Sequence, residues 1–125
     1  MKVRHIGIYD NVKGTWHSSR ERLTIGKAYM VIELLSSIKN GISYRLIGDN
    51  EDGSPAVFPA SEFEIISNYV PTNWTLTIKQ NGLIVNGPKA WREPGFWEDC
   101  YDHDPKALEI YKREARIIYE EENAL

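Results

Sequence analysis

The sequence predicts an α+β domain in which a strand-rich first two-thirds is followed by one long helix. Three observations carry this. Short runs rich in β-branched and aromatic residues fill residues 2–86, each bounded by Gly, Asn, Asp or Pro. Residues 105–122 contain no Gly and no Pro after the first position, and apolar residues recur there at spacings of three and four. A chain of 125 residues suits a single domain. Folding at this length buries roughly two-thirds of the surface that the unfolded chain exposes, enough for a core without staples.

Along the first two-thirds, KVRHIGIY (2–9) alternates imperfectly, with Val3 and His5 on one face and Ile6 and Ile8 on the other. The segment NVKGTWHSSRERL (11–23) is polar and basic and reads as a loop. AYMVIELL (28–35) suits a pleated, half-buried strand and turns through Asn40-Gly41 into ISYRLIG (42–48). After the turn cluster DNEDGSP (49–55) come AVFP (56–59) and FEII (63–66). WTLTIKQ (74–80) and LIVN (83–86) form a hairpin candidate around Asn81-Gly82. Many short strands at this spacing predict a small barrel or sandwich. The expected divisions are residues 1–68, a hairpin over 69–87, and a helical tail over 88–125 packed on the strands.

In the tail, Leu108, Tyr111, Ala115 and Ile118 make one apolar stripe, widened by Ile110, Ile117 and Tyr119. Asp104-Pro105 is a start signal, because the carboxylate can accept from the first free N–H groups and Pro is pre-shaped for the first helical position. Glu120, Glu121 and Glu122 oppose the helix dipole, so a frayed C-terminus is expected. Short helical turns are expected around residues 88–92 and 94–101.

Composition excludes several classes. The chain is 42% hydrophobic and 26% charged, and its longest apolar runs are too short to span a bilayer. The first ten residues lack the long apolar stretch of a secretory signal. A single cysteine, Cys100, leaves no internal disulfide framework and suits a reducing cytoplasm. Charge is unevenly spread. Residues 1–92 carry eleven Lys/Arg against eight Asp/Glu, whereas residues 93–125 carry four against ten. The run from Glu93 to Asp104 has five acids and no base. That sign points to a basic partner, not to nucleic acid or an anionic membrane, the alternative being a solvated acidic helix and its approach.

The segment FPASEFEII (58–66), after GDNEDGSPAV, resembles the closing segment of SH3 barrels: a strand, Phe-Pro, one tight helical turn and a last strand. GIYDN (7–11) sits where such a barrel carries its Ala-Leu-Tyr-Asp motif, and LTIGKAYMVIELL (23–35) resembles the stretch after its first long loop. The resemblance implies an SH3-like β-barrel over residues 5–66, a fold that hosts many activities. Proline-rich recognition is not implied. Glu62 stands where the groove tyrosine belongs, Phe63 matches a core position, and ISYRLIG has no groove tryptophan. Tyr9 and Pro59 remain alone.

PGFWEDCYDHDP (94–105) concentrates the chemistry-bearing residues. A metal site would recruit Asp99, Cys100, Asp102, His103 and Asp104, but structural zinc sites draw paired Cys or His from separated segments, and the next histidine toward the N-terminus is His17. A nucleophilic reading pairs Cys100 with His103 or His5, and an acid–base reading pairs Glu98 with Asp102. Neither comes with an orienting group or a substrate signal. Lys13, Trp16, His17, Arg20 and Arg22 combine charge with an aromatic, as single-strand grooves do, although basic loops are ordinarily just solvated. If residues 94–101 form a helical turn, Phe96 or Trp97 and Cys100 face the strands, and Glu98, Asp99 and Asp102 face water.

The tail GPKAWREPGFWEDCYDHDPKALEIYKREARIIYEEE resembles that of small bacterial immunity proteins, which neutralise polymorphic or contact-dependent growth-inhibition toxins. This resemblance implies a non-catalytic cytoplasmic protein, without metal or cofactor, that covers the basic active site of one cognate toxin domain, commonly a nuclease. Glu93, Glu98, Asp99, Asp102 and Asp104 are the expected contacts, joined by Glu109 and Glu114 and by Trp91 and Tyr101 as exposed aromatics. An SH3-like adaptor or phage-encoded binding module is the alternative, and a small hydrolase the second.

Overall fold

The computed structural model describes residues 1–18 and 22–125. In chain order the strands are β1 (Lys2–His5), β2 (Ile8–Asp10), β3 (Thr15–His17), β4 (Ala28–Ser37), β5 (Gly41–Ile47), β6 (Pro55–Pro59), β7 (Phe63–Ser67), β8 (Trp74–Ile78) and β9 (Ile84–Pro88). The helices α1 (Phe96–Tyr101) and α2 (Pro105–Asn123) follow. Single 3₁₀ turns cover Ala60–Glu62 and Lys89–Arg92. No described helix is long and apolar enough to cross a membrane.

The expected first strand is broken at Gly7, where φ is +81° and a Cβ would lie 2.5 Å from the His17 carbonyl oxygen. Glycine tolerates both constraints, so the chain leaves β1 and restarts as β2. β2 pairs β3 through Ile8–His17, Tyr9–Trp16 and Asp10–Thr15. The segment expected to be a loop therefore contains a strand, because β2 offers it a backbone ladder. Lys13, Trp16, His17 and Arg22 are exposed, and Arg20 lies outside the described residues.

The main sheet is antiparallel, in the order β6-β5-β4-β1-β7, with β9 also on β4 and β8 on β9. One edge of β4 pairs β5. The other edge is shared, Ala28–Met30 going to β1 and Leu34–Ser36 to β9. No ladder joins β6 to β7 among the described residues, so strand pairing does not close the expected barrel. The fold is α+β, a mostly antiparallel sheet with a C-terminal helix.

β4 is where the two layers meet. Tyr29 and Val31 enter one core, with Met1, Val3, Leu23, Tyr44, Leu46, Phe58 and Phe63. Ile32 enters a second, with Trp91, Phe96, Cys100, Ala107, Ala115 and Ile118. Register shifts between Val31 and Glu33, which face Leu46 and Arg45, so Ile32 is the extra residue of a β-bulge. Under strict alternation Glu33 would point into the first core. The bulge sends Leu34 there instead and keeps the carboxylate out.

Helix α2 buries Ala107, Ala115, Ile118 and Glu122, with Leu108, Ile110, Tyr111 and Tyr119 half-buried beside them. Its C-terminus, expected to fray, is held. The Met1 ammonium lies 3.0 Å from Glu122 Oε1, and Ser67 Oγ donates to Oε2 at 3.0 Å. Glu121 accepts from the Tyr69 hydroxyl at 2.9 Å, from the Thr72 N–H at 2.8 Å and from the Thr72 hydroxyl. Donors from outside the helix thus offset the unfavourable dipole, and sequence spacing does not reveal them.

The Thr72 hydroxyl, then its N–H and Tyr69, hold the Glu121 carboxyl below the ordinary glutamate value. A carboxyl depressed on folding contributes stability above its unfolded pKa, and loses that contribution as pH falls through its folded one. Stability to urea should therefore decline as pH is lowered from about 6 to about 3, and Glu121→Gln should make that decline shallower. Equal slopes for the two proteins would remove Glu121 from the account.

Candidate functional site

The acidic run is organised by two helix ends. Gly95, at φ +76°, turns the chain into α1, and the Phe96 N–H donates to the Glu93 carbonyl at 3.0 Å. Four residues apart, Phe96 and Cys100 fall on the same face and are buried, which leaves Glu98, Asp99 and Asp102 exposed. α1 closes with paired carbonyl bonds, Asp104 N–H to Asp99 and His103 N–H to Cys100, each 3.0 Å. His103 takes the left-handed position at φ +60° that glycine usually fills in this motif. Asp104 then accepts from the Ala107 N–H at 3.0 Å and caps α2, as its position before Pro105 predicts.

These turns gather part of the predicted set. Glu93, Asp99 and Asp104 surround a depression of about 140 Å³, together with Lys106. Glu93 also reaches the rim of a neighbouring groove of about 350 Å³, where it joins Glu98. Asp102 is exposed at the C-terminal end of α1. Glu109 and Glu114 are not neighbours, since five residues at 100° each set them about 140° apart around α2. Glu109 is exposed. Glu114 is half-buried, its carboxylate 3.6 Å from Arg113 Nε and its carbonyl taken by Asn73.

Trp91 is not an exposed contact. It is 2% exposed, and its ring lies 5.3–6.3 Å from those of Trp97, Tyr111 and Phe96. The 3₁₀ turn Lys89–Arg92 drives it beneath α1, where burying so large an apolar body is worth more than a surface contact. Tyr101 is 44% exposed but also tethers the helix, donating to the Pro55 carbonyl at 2.7 Å and accepting from Arg45 at 3.2 Å.

Sequence reasoning missed the network beneath this face. Glu33, 2% exposed, accepts from Arg45 Nε on one oxygen and from Arg92 Nη1 on the other, each at 3.0 Å. Burial pushes the Glu33 carboxyl above the usual glutamate value, and the guanidiniums, Arg45 first, draw it back. Arg45 also lies 4.0 Å from the Trp97 ring centre, a cation–π contact that links β5 to α1. Gly87 makes room for the carboxylate, because a Cβ there would come within 2.9 Å of Glu33 Cγ. The one signal in the sequence was an acid inside the apolar strand AYMVIELL. Its partners are 12 and 59 residues away.

The remaining candidates have structural places. Cys100 is buried, its thiol 3.7 Å from the Ala107 carbonyl, and burial raises its pKa. Among the described residues, no three His, Cys, Asp or Glu side chains gather as metal ligands would. No family model matches the chain, and neither a curated protein nor a solved structure matches it.

Glu33→Ala should cost about 3–5 kcal/mol in chemical denaturation, because it strands two part-buried guanidiniums. A loss under about 1 kcal/mol would mean that the arginines find water. Asp104→Ala should cost about 1 kcal/mol through the lost cap, whether or not a partner is present.

Proposed function

We propose that the protein is a non-catalytic immunity protein, acting in the cytoplasm, that binds the basic catalytic face of a cognate toxin domain. A nuclease is the expected toxin, since a surface built for nucleic acid is basic. One observation carries this reading. Glu93, Glu98, Asp99, Asp102 and Asp104 are all exposed on a short helix and its two flanking turns, and that unit is seated on buried aromatics. A face held this way meets a partner with little ordering cost. Tyr101, 44% exposed at the C-terminal end of α1, is the aromatic of the unit best placed to join the contact.

A second reading has its own support. Tyr9 and Trp16 pack with ring centres 5.2 Å apart and planes tilted by 55° on the β2–β3 hairpin, and they are 45% and 52% exposed. Trp16 borders a shallow depression of about 420 Å³ with Ile6 and Ile25. An SH3-like adaptor or phage-encoded module would use this side of the molecule.

Co-expression with the C-terminal domain of the product encoded immediately upstream distinguishes the two. The immunity reading expects a stoichiometric, salt-sensitive complex that silences toxicity. Asp99→Lys with Asp102→Lys should weaken that complex more than about tenfold, or about 1.4 kcal/mol. Unchanged affinity in the double variant removes the acidic face. Loss of binding with Tyr9→Ala and Trp16→Ala instead favours the adaptor.

A further inference from the structure

The outer edge of β8 is an unguarded strand. Lys79 N–H donates to the Leu83 carbonyl at 2.9 Å, which fixes the alternation of the β8–β9 ladder. Thr75 and Thr77 therefore bond inward to Gly87 and Val85, and the backbone groups of Leu76 and Ile78 point outward. No described residue pairs with that edge. The Trp74 carbonyl also faces out, while its N–H is taken by Pro71 at 3.1 Å. Leu76 and Ile78 are 60% and 69% exposed, on the sheet face that Ile42 shares.

Edge strands are ordinarily blunted by proline, charge or a bulge. The outer strand β6 has Pro55 and Pro59 at its two ends, and the outer strand β7 carries Glu64. From Trp74 to Ile78, β8 has no proline, no charge and no register shift. The sequence WTLTI is also close to symmetric about Leu76. Laid antiparallel on itself with Leu76 opposite Leu76, it sets Thr75 against Thr77 and Trp74 against Ile78. Lys79 then meets Asn73, so no like charges face each other. In that register the outward N–H groups of Leu76 and Ile78 find the Leu76 and Trp74 carbonyls of the second copy.

We propose that β8 is a self-association strand, two copies of the chain pairing β8 to β8 about a twofold axis at Leu76. The sheet then runs continuously through the dimer, and the exposed Leu76 and Ile78 of each copy pack beside those of the other. An isologous contact requires a self-complementary strand, and the symmetric, neutral Thr-Leu-Thr supplies one. The acidic face takes no part in this contact, so the inference stands apart from the proposed function.

Sedimentation equilibrium of the wild type, Leu76→Lys and Leu76→Glu tests it. Leu76 is exposed, so both variants should keep the wild-type circular dichroism. The wild type should dimerise, and each variant alone should raise the dimer dissociation constant by about tenfold or more, because like charges meet at the axis. An equimolar mixture of the two variants should restore the dimer through opposite charges. A wild type monomeric up to about 1 mM, which is binding weaker than about 4 kcal/mol, overturns the proposal. So does a variant that dimerises as the wild type does, or a mixture that stays monomeric. A dimer that forms only with an added extended peptide would transfer the edge to a different partner and likewise overturn it.

Discussion

Burial of β4 on both faces is the constraint from which the rest of the molecule follows. A strand packed on two sides must send alternate residues into two different cores, and β4 also contains an acid. The bulge at Ile32 resolves that conflict. It keeps Tyr29, Val31 and Leu34 toward the first core and Ile32 toward the second, and it turns Glu33 to the side where Arg45 and Arg92 reach it. A buried carboxylate is costly unless it is paired and fully hydrogen-bonded, so the pairing with β5 and the seating of the Lys89–Arg92 turn both answer to this one side chain.

From there the dependence runs outward. Arg92 ties the 3₁₀ turn to the β8–β9 hairpin through the Thr75, Gly87 and Pro88 carbonyls, and that turn places Trp91 under α1. Arg45 supports α1 from below, through the Trp97 ring and the Tyr101 hydroxyl. The five acids of residues 93–104 stand on this platform. Their exposure and the rigidity beneath them have the same cause, since the apolar residues spaced between them supply the anchors. Such a surface can present negative charge in one geometry, which is what steered recognition of a basic partner requires.

The ends of α2 show the same economy. At its start Asp104 closes α1 and opens α2 with adjacent hydrogen bonds, so the two helices share one junction. At its finish the acids that oppose the dipole become acceptors for the first residue of the chain and for the 67–72 segment. Helix α2 is thereby fastened to β7 and to the start of β1 by polar contacts, and to β4 by apolar ones.

Local periodicity is legible in a sequence because it reports which side of each segment avoids water. The apolar pattern of most strands, the Asn40-Gly41 and Asn81-Gly82 turns, the Asp104 cap and the outward acids of α1 are set within a few residues of chain, and the sequence by itself determined them. The tertiary structure alone decided the burial of Trp91, the grip on Glu121 and Glu122, the β2–β3 pairing, the open edge of β8 and the partners of Glu33. The burial of Trp91, the grips on Glu121 and Glu122 and the pairs of Glu33 join segments remote in the chain, whereas β2 and β3 lie close in sequence and pair through backbone groups that no side-chain pattern reports. Whether an acid is solvated, capped or buried between two arginines depends on what the fold brings opposite it, and no spacing within one segment encodes that.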